Sequence, residues 1–427
     1  MWRSRLRDWM EKQGQRRILE VRWLLNPRGM PLRNVQIEDE GGIITAIRPI
    51  AAGRESESLP LMVIPPLVNA HTHLEFSALE EPLGPAASFP DWIRSVVTWR
   101  RAQPGSPSLA IEKGMTQCRE LGVGLVGEIA TQSFLHRPPG TACVVFREAI
   151  GLTRERIADQ LQAVQEHIAS RTSIEAAGSS IGLSPHAPYT VHPELMQKMT
   201  ELAIRHRVPV AMHLAETREE LRLLQHGDGA MADFLKSMGL FDSAVFSGHR
   251  QMLEFLEPLA RVPQALAVHG NYFAEQELSF LVKHPSISVV YCPRTHAWFQ
   301  HSEHPFRRMQ AAGIRVVLGT DSRASNPDLC ILSELQFLLR RHSELSVTDM
   351  LEMITTSAAT ALGRNEFSCP VQTGHAFAAT LLLCDGEQTT VEATLRAVGT
   401  RPLLAISKSG YAEADLARIV RSFSKST

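Results

Sequence analysis

The hydrophobic rhythm of the chain changes twice. After an amphipathic opening, "RILEVRWLLNP", "RNVQIEDE" and "GIITAIRPI" are short apolar segments broken by Asn-Pro and Gly-Gly turn signals. They predict a small β unit over residues about 17 to 62. From residue 63 to about 345, apolar runs of strand length alternate with stretches of helical period. The predicted strands are "VIPPLVNAHTH", "GLVGEIA", "ACVVFREAI", "SIGLSPHAPYT", "VPVAMHLAET", "ALAVHGNYF", "SISVVYCPRTH" and "IRVVLGTDSRAS". Helices such as "HPELMQKMTELAIRHR" and "EQELSFLVKHP" lie between them. Eight such strands predict an α/β fold, a closed parallel (β/α)8 TIM barrel. An open doubly wound sheet fits less well, since no glycine-rich phosphate loop follows the first strand.

Beyond the last barrel strand, "LSELQFLLRR" and "VTDMLEMITTSAATALG" predict helices, and "FAATLLLCDG" and "LLAISKSG" return to strand character. The late strands are expected to pair with the early ones as a small β-sandwich built from both ends of the chain. The expected units are 1–62 (N-terminal helix and first part of the sandwich), 63–365 (barrel) and 366–427 (second part of the sandwich and C-terminal tail). The first barrel loop, "LEFSALEEPLGPAASFPDWIRSVVTWRRAQPGSPS", is rich in Pro, Gly and Ser and carries a helix candidate, "DWIRSVVTWRR". A loop of this length after a barrel strand is more often functional than not, so a lid or part of the substrate wall is expected.

Composition narrows the function classes. The 427 residues are 44% hydrophobic with a formal net charge of −1, so no global field favours nucleic acid or an anionic membrane. The six cysteines are scattered, without a Cys-x-x-Cys pair, which excludes a zinc ribbon and a disulfide framework and favours a reducing, cytoplasmic setting. The opening "MWRSRLRDWMEKQGQRR" lacks the apolar core of a secretory signal, and no apolar run nears the roughly 18 to 20 residues that span a bilayer. Trp2, Leu6, Trp9 and Met10 share one helical face, expected to dock on its own domain or on the partner subunit of a homodimer. A small molecule is the remaining class of substrate.

The candidate chemistry sits at the strand ends. Residues two apart on a strand share a face, so His71 and His73 project side by side and can share a metal ion. An isolated His-x-His is more often a polar strand end. Here the fourth strand also carries His186, the fifth His213 followed by Glu216, the sixth His269 and the eighth Asp321. In a parallel barrel these ends lie on one rim, where active sites form. On the seventh strand, Arg294 and His296 would face the same mouth. Arg294 would either hold a substrate carboxylate bidentately or pair with a local acidic residue.

"NAHTHLE", "SPHAPYT", "MHLAETREE", "VHG" and "LGTDSRAS", in this order, resemble the amidohydrolase superfamily, most closely its single-metal aminohydrolase branch. The resemblance implies that His71, His73 and His213 bind one divalent metal, zinc in preference to iron. It implies that Asp321 is the fourth ligand or in contact with the metal. Glu216 and His269 would handle protons, and His186 would bind substrate or steer its leaving group. Two-metal members carry a lysine at the fourth strand end; "SIGLSPHAPYT" has none, which implies a single metal. Two departures stand out: Pro65-Pro66 replaces the usual Pro-Gly, and Thr380 stands where the late strand usually carries Asp. Together with "CPRTHAWF", the motifs look most like deaminases of adenine nucleosides bearing a carboxylated extension, of the aminodeoxyfutalosine type in the route to menaquinone. A triazine-type or guanine/pyrimidine amino- or chlorohydrolase is the alternative. A non-catalytic scaffold barrel fits poorly, because every expected ligand is present.

Overall fold

The computed structural model describes residues 2–12, 14–84, 88–103, 107–134, 141–384, 390–397 and 402–406. The N-terminal helix α1 (Trp2–Glu11) precedes β1 (Arg17–Leu24), β2 (Leu32–Glu40), β3 (Ile43–Pro49) and β4 (Leu59–Ile64). The central region supplies β5 (Leu67–His73), β6 (Val123–Ala130), β7 (Ala142–Ala149), β8 (Ser180–Pro185), β9 (Val210–Leu214), β10 (Ala265–His269), β11 (Ile287–Tyr291), β12 (Val316–Leu318) and β13 (Asp321–Ser322). Finally come β14 (Ala379–Leu383) and β15 (Pro402–Ile406). The predicted tail beyond residue 406 lies outside the described residues.

β5 to β13 form one curled parallel sheet in the order β12-β11-β10-β9-β8-β7-β6-β5-β13, a TIM-barrel-like arrangement. Its strands are buried almost throughout, as expected where helices cover a parallel sheet. Val68, Leu125, Phe146, Leu266 and Val268 cluster with Ala358, Ala359 and Leu362 near the helix Thr356–Ala361. A larger cluster joins strand residues to the surrounding helices through Met115, Leu195, Leu256 and Leu335.

The sheet curls until its two ends, β12 and β13, are separated in the chain by Gly319 and Thr320 alone. This seam is specific. The Asn69 amide donates to Thr320 Oγ1 at 2.8 Å and accepts from Thr320 N at 3.1 Å. Asn326 donates to the Thr320 carbonyl at 2.6 Å. A Cβ at position 319 would lie 2.8 Å from His71 Cβ, so only glycine permits the close approach.

The early and late strands pair with each other, β14 with β4, but in a single six-stranded sheet ordered β15-β14-β4-β1-β2-β3 where a sandwich was expected. The sheet bends so that its far edge also meets the segment before β14: Ile44 N donates to the His375 carbonyl at 2.9 Å and Phe377 N to the Gly42 carbonyl at 2.7 Å. Helix α1 docks on this sheet, burying Leu6, Trp9 and Met10 with Leu19, Val21 and Phe377. The Arg17 guanidinium lies 3.9 Å from the Trp9 ring centroid and pairs with Asp39 at 3.0 Å. Thr380 ties the two sheets together: its hydroxyl accepts from Leu67 N at 3.1 Å and donates to the Gly122 carbonyl at 2.8 Å.

One predicted strand stops early. β11 ends at Tyr291, and Pro293–Trp298 is a short helix with proline in its first turn, where a missing N–H costs nothing. Among the described residues, no helix is long and apolar enough to cross a membrane.

The seam makes a stability prediction. Asn69→Ala removes both contacts to Thr320 and strands buried polar groups, at a cost of about 1–3 kcal/mol each. The thermal unfolding midpoint should fall by several degrees. An unchanged midpoint would mean that the barrel ends are held together without Asn69.

Candidate active site

Several of the polar side chains at the strand ends, or the backbone beside them, are held by buried partners. Glu128 on β6 accepts from Leu74 N at 2.9 Å and from the Thr72 hydroxyl at 2.6 Å, fixing the turn that follows His73. At the end of β9, the His213 ring makes a 2.9 Å hydrogen bond through Nδ1 to the His186 carbonyl. A carbonyl can only accept, so the proton sits on Nδ1 and the His213 Nε2 lone pair is free. The His304 ring donates to the His269 carbonyl at 2.9 Å. His269 and Asp321 have φ of +71° and +59°, left-handed conformations that non-glycine residues seldom adopt. Such outliers persist where the surroundings over-determine them.

The resulting cluster is tight. His73 Nε2 and His213 Nε2 are 3.2 Å apart. Asp321 Oδ1 lies 3.6 Å from His71 Nε2 and 3.7 Å from His73 Nε2. His269 Nε2 is 3.5 Å from Glu216 Oε1. Ligand-type atoms of His71, His73 and His213 fall within 4.8 Å of one another, and so do those of Glu216, His269 and Asp321. All of these residues are buried.

The donor set fits a divalent metal ion. Both ring nitrogens of His71 are buried without a hydrogen-bond partner. Buried polar atoms left unpaired are costly, and native structures rarely tolerate them without a function. Several imidazole nitrogens facing one carboxylate suit zinc or ferrous iron. Burial lowers the His73, His213 and His269 pKa values well below the ordinary imidazole value, and neighbouring imidazoles add to the effect. These rings are therefore neutral at pH 7. Burial would raise Asp321, but the His71, His269 and His73 rings around it hold its carboxyl far below the usual range.

Glu216 behaves oppositely. Burial pushes its pKa well up, and the Asp321 and Glu220 carboxylates push it further. Glu220 lies behind it, raised to about 7 by burial, and accepts from Ala215 N and Glu216 N at 3.1 and 2.8 Å. The site thus sets a carboxyl whose pKa is raised beside one whose pKa is lowered, the divergence that acid–base catalysis uses.

Above the cluster opens a cavity of about 300 Å³. His73, His186, His213, Glu216, His269 and Asp321 contribute its polar side. The predicted loop helix is present as α2 (Phe89–Ala102) and supplies Trp92, Ile93, Val96 and Val97 to the cavity wall.

A family model described as the amidohydrolase family matches residues 62–368. This chain belongs to the amidohydrolase family. It is 27% identical over 326 residues to an aminodeoxyfutalosine deaminase of Deinococcus radiodurans, covering 70% of this chain and 76% of that protein. It is 26% identical over 323 residues to a 5-methylthioadenosine/S-adenosylhomocysteine deaminase of Pyrococcus furiosus, covering 71% of this chain and 70% of that one. Its fold matches the crystal structure of Helicobacter pylori aminofutalosine deaminase in complex with methylthio-coformycin, with a TM-score of 0.79 at 21% identity over 92% of this chain and 99% of that one.

Two sequence-predicted residues are not brought to the cavity of this amidohydrolase. Arg294 lies on the short helix after β11, and its guanidinium meets Glu334 at 2.6 Å and Asp328 at 2.7 Å. The expectation that it reads a substrate carboxylate is therefore replaced by a structural ion pair, because Pro293 turns the chain into a helix before Arg294 can reach the mouth. His296 packs edge-on against Tyr291, ring centroids 5.5 Å apart, and is likewise absent from the cavity lining. His186 does line the cavity, its Nδ1 held by the Thr190 hydroxyl at 2.7 Å. Sequence reasoning missed Glu128, Glu220, Arg100 and Glu148. Glu148 sits at the end of β7, and its position within "FREAI" was the available signal.

The ion pair carries a prediction. Glu334 is fully buried, so Arg294→Met leaves an uncompensated buried charge, at a cost of about 3–5 kcal/mol. The variant should melt well below the wild type and lose kcat/KM about equally on carboxylated and uncarboxylated substrates. A selective loss on the carboxylated substrate, with an unchanged melting point, would restore the substrate-binding reading.

Proposed function

We propose that this chain is a hydrolytic deaminase of adenine-type nucleosides, with aminodeoxyfutalosine or a related adenosine derivative as substrate. The observation that carries the reading is the buried cluster of His71, His73 and His213 beside Glu216, His269 and Asp321, with the Glu216 pKa raised and the Asp321 pKa lowered. The names of the relatives support the substrate class, and the apolar wall from α2 suits a planar base. Menaquinone biosynthesis follows as the proposed setting if the substrate is aminodeoxyfutalosine. We read β12 and β13 as one interrupted eighth strand of a (β/α)8 barrel, with unit boundaries near residues 62 and 365.

His71, His73 and His213 would hold one divalent ion, with Asp321 as fourth ligand or in contact with it, and the nitrogen-rich set favours zinc. When bound, the metal supplies Lewis-acid activation of a water at neutral pH. Asp321 accepts a proton from the attacking water. Glu216 donates its proton to the ring nitrogen beside the attacked carbon, which makes that carbon more electrophilic. His269 donates a hydrogen bond to the incoming oxygen. The water oxygen bonds to the ring carbon, Asp321 passes the proton it took to the amino group, the exocyclic C–N bond breaks to release ammonia, and the remaining O–H proton returns to Glu216 as the ring carbonyl forms. His186, neutral because burial and the nearby Arg100 charge lower its pKa to about 3, faces the substrate as a hydrogen-bonding group.

The purified protein should contain one divalent metal per chain and release ammonia from adenine nucleosides, with loss of adenine absorbance. His73→Ala should lose most of the metal and nearly all turnover. Glu216→Gln should keep the metal and lose at least roughly a hundredfold in kcat, the usual scale for a positioned proton donor. Near-normal turnover in Glu216→Gln would remove the acid role. Chloride release from a chlorotriazine, with no nucleoside deaminated, would overturn the substrate class.

A further inference from the structure

We propose that Glu148 reads the sugar hydroxyls of the nucleoside, setting specificity for ribose within the cavity; this rests on the deaminase reading above. Glu148 ends β7, lines the cavity, and is 4% exposed. Its Oε1 atom is buried and has no hydrogen-bond partner. The polar atom that faces it is His186 Nε2 at 3.8 Å, too far for a hydrogen bond. The adjacent Arg147 guanidinium donates to the Glu148 backbone carbonyl at 2.6 Å and not to its carboxylate. Arg100, the other nearby cation, is engaged with Glu75.

A carboxylate this deeply buried is expected to receive donors, and the protein supplies none to Oε1. The open cavity is where they can come from. Position then selects the donor. His186 links the two regions: its ring centroid lies 4.9 Å from that of His213, tilted by 50°, and its Nε2 lies 3.8 Å from Glu148 Oε1. A base held over the cluster therefore presents its attached sugar to Glu148. Hydroxyls suit the group in either protonation state, since they both donate and accept. Anionic substituents do not suit it, because Glu75 and Glu148 share the Arg100 charge.

The test compares kcat/KM for adenosine and 2′,3′-dideoxyadenosine in the wild type, Glu148→Ala and Glu148→Gln, with metal content measured in each. The wild type should prefer adenosine by roughly ten- to a hundredfold, the scale of a hydrogen bond to a charged group. Glu148→Ala should lose that preference through adenosine alone, at unchanged metal content, and Glu148→Gln should keep part of it. An equal loss on both substrates would make Glu148 a positioning residue for His186 and overturn the proposal. Equal rates on both substrates in the wild type would overturn it without any variant, while leaving the deaminase reading intact. Failure of the wild type to act on any adenine nucleoside would instead remove the deaminase reading itself.

Discussion

The floor of the cavity depends on Asp321 lying beside His71, 3.6 Å from its Nε2. These residues are 250 positions apart in the chain, and they meet because a curled sheet brings its last strand back to its first. Parallel pairing of Asp321 with Thr72 and of Ser322 with His73 sets the register. Gly319 lets the backbones approach, and Asn69 satisfies the buried polar groups of Thr320 that would otherwise oppose it. A shift of one residue at this seam would turn Asp321 to the other side of the sheet. The left-handed backbone at Asp321 is compatible with the same constraint: its conformation is imposed by pairing on one side and the side-chain cluster on the other.

Once these groups share a water-poor space, their protonation states follow from solvation and from one another. Burial discourages a charge on His73, His213 and His269, and neighbouring rings add to that effect. Two acidic side chains then diverge. Asp321 lies against the imidazoles and its pKa is lowered, whereas Glu216 is buried facing Asp321 and Glu220 and its pKa is raised. The residue type is nearly the same; the neighbours set the direction in which each pKa moves. Glu220 matters here without facing the substrate, since it holds the Ala215 and Glu216 backbone and adds like charge behind Glu216.

The strand ends were legible in the sequence because a buried parallel strand is a continuous apolar run, and a histidine or aspartate that closes it stands out. His71, His73, His213, His269 and Asp321 were readable on that basis. The helix in the first loop was legible from "DWIRSVVTWRR". Arg294 was misplaced because Pro293 starts a helix, and because its partners Asp328 and Glu334 lie 34 and 40 residues further on. No local pattern reveals such a pairing. Glu148 was hidden differently, as a carboxylate that follows Arg147 in a strand and so reads as half of a local charge pair. The terminal strands were recognisable singly, but their union in one bent sheet depends on pairings such as Thr380 with Ile64, more than 300 residues apart.

The loop after β5 links specificity to chemistry. Glu75, two residues beyond His73, pairs with Arg100 on α2, and the Arg100 guanidinium lies 5.2 Å from the Phe76 ring centroid. Phe76 in turn contacts Trp99 at 5.3 Å between centroids. The wall that carries Trp92, Val96 and Val97 is therefore pinned to the turn that follows His71 and His73. Residues on the inner face of α2 can change the shape offered to a substrate without altering the strand ends. Loss of Arg100 would do something else: it would free the wall and leave the buried Glu75 carboxylate, two residues beyond His73, without its cation. A family that acts on varied ring amines from one set of strand-end residues needs this separation between a fixed floor and an adjustable wall. Here the separation lies in one insertion, held to the floor at its base.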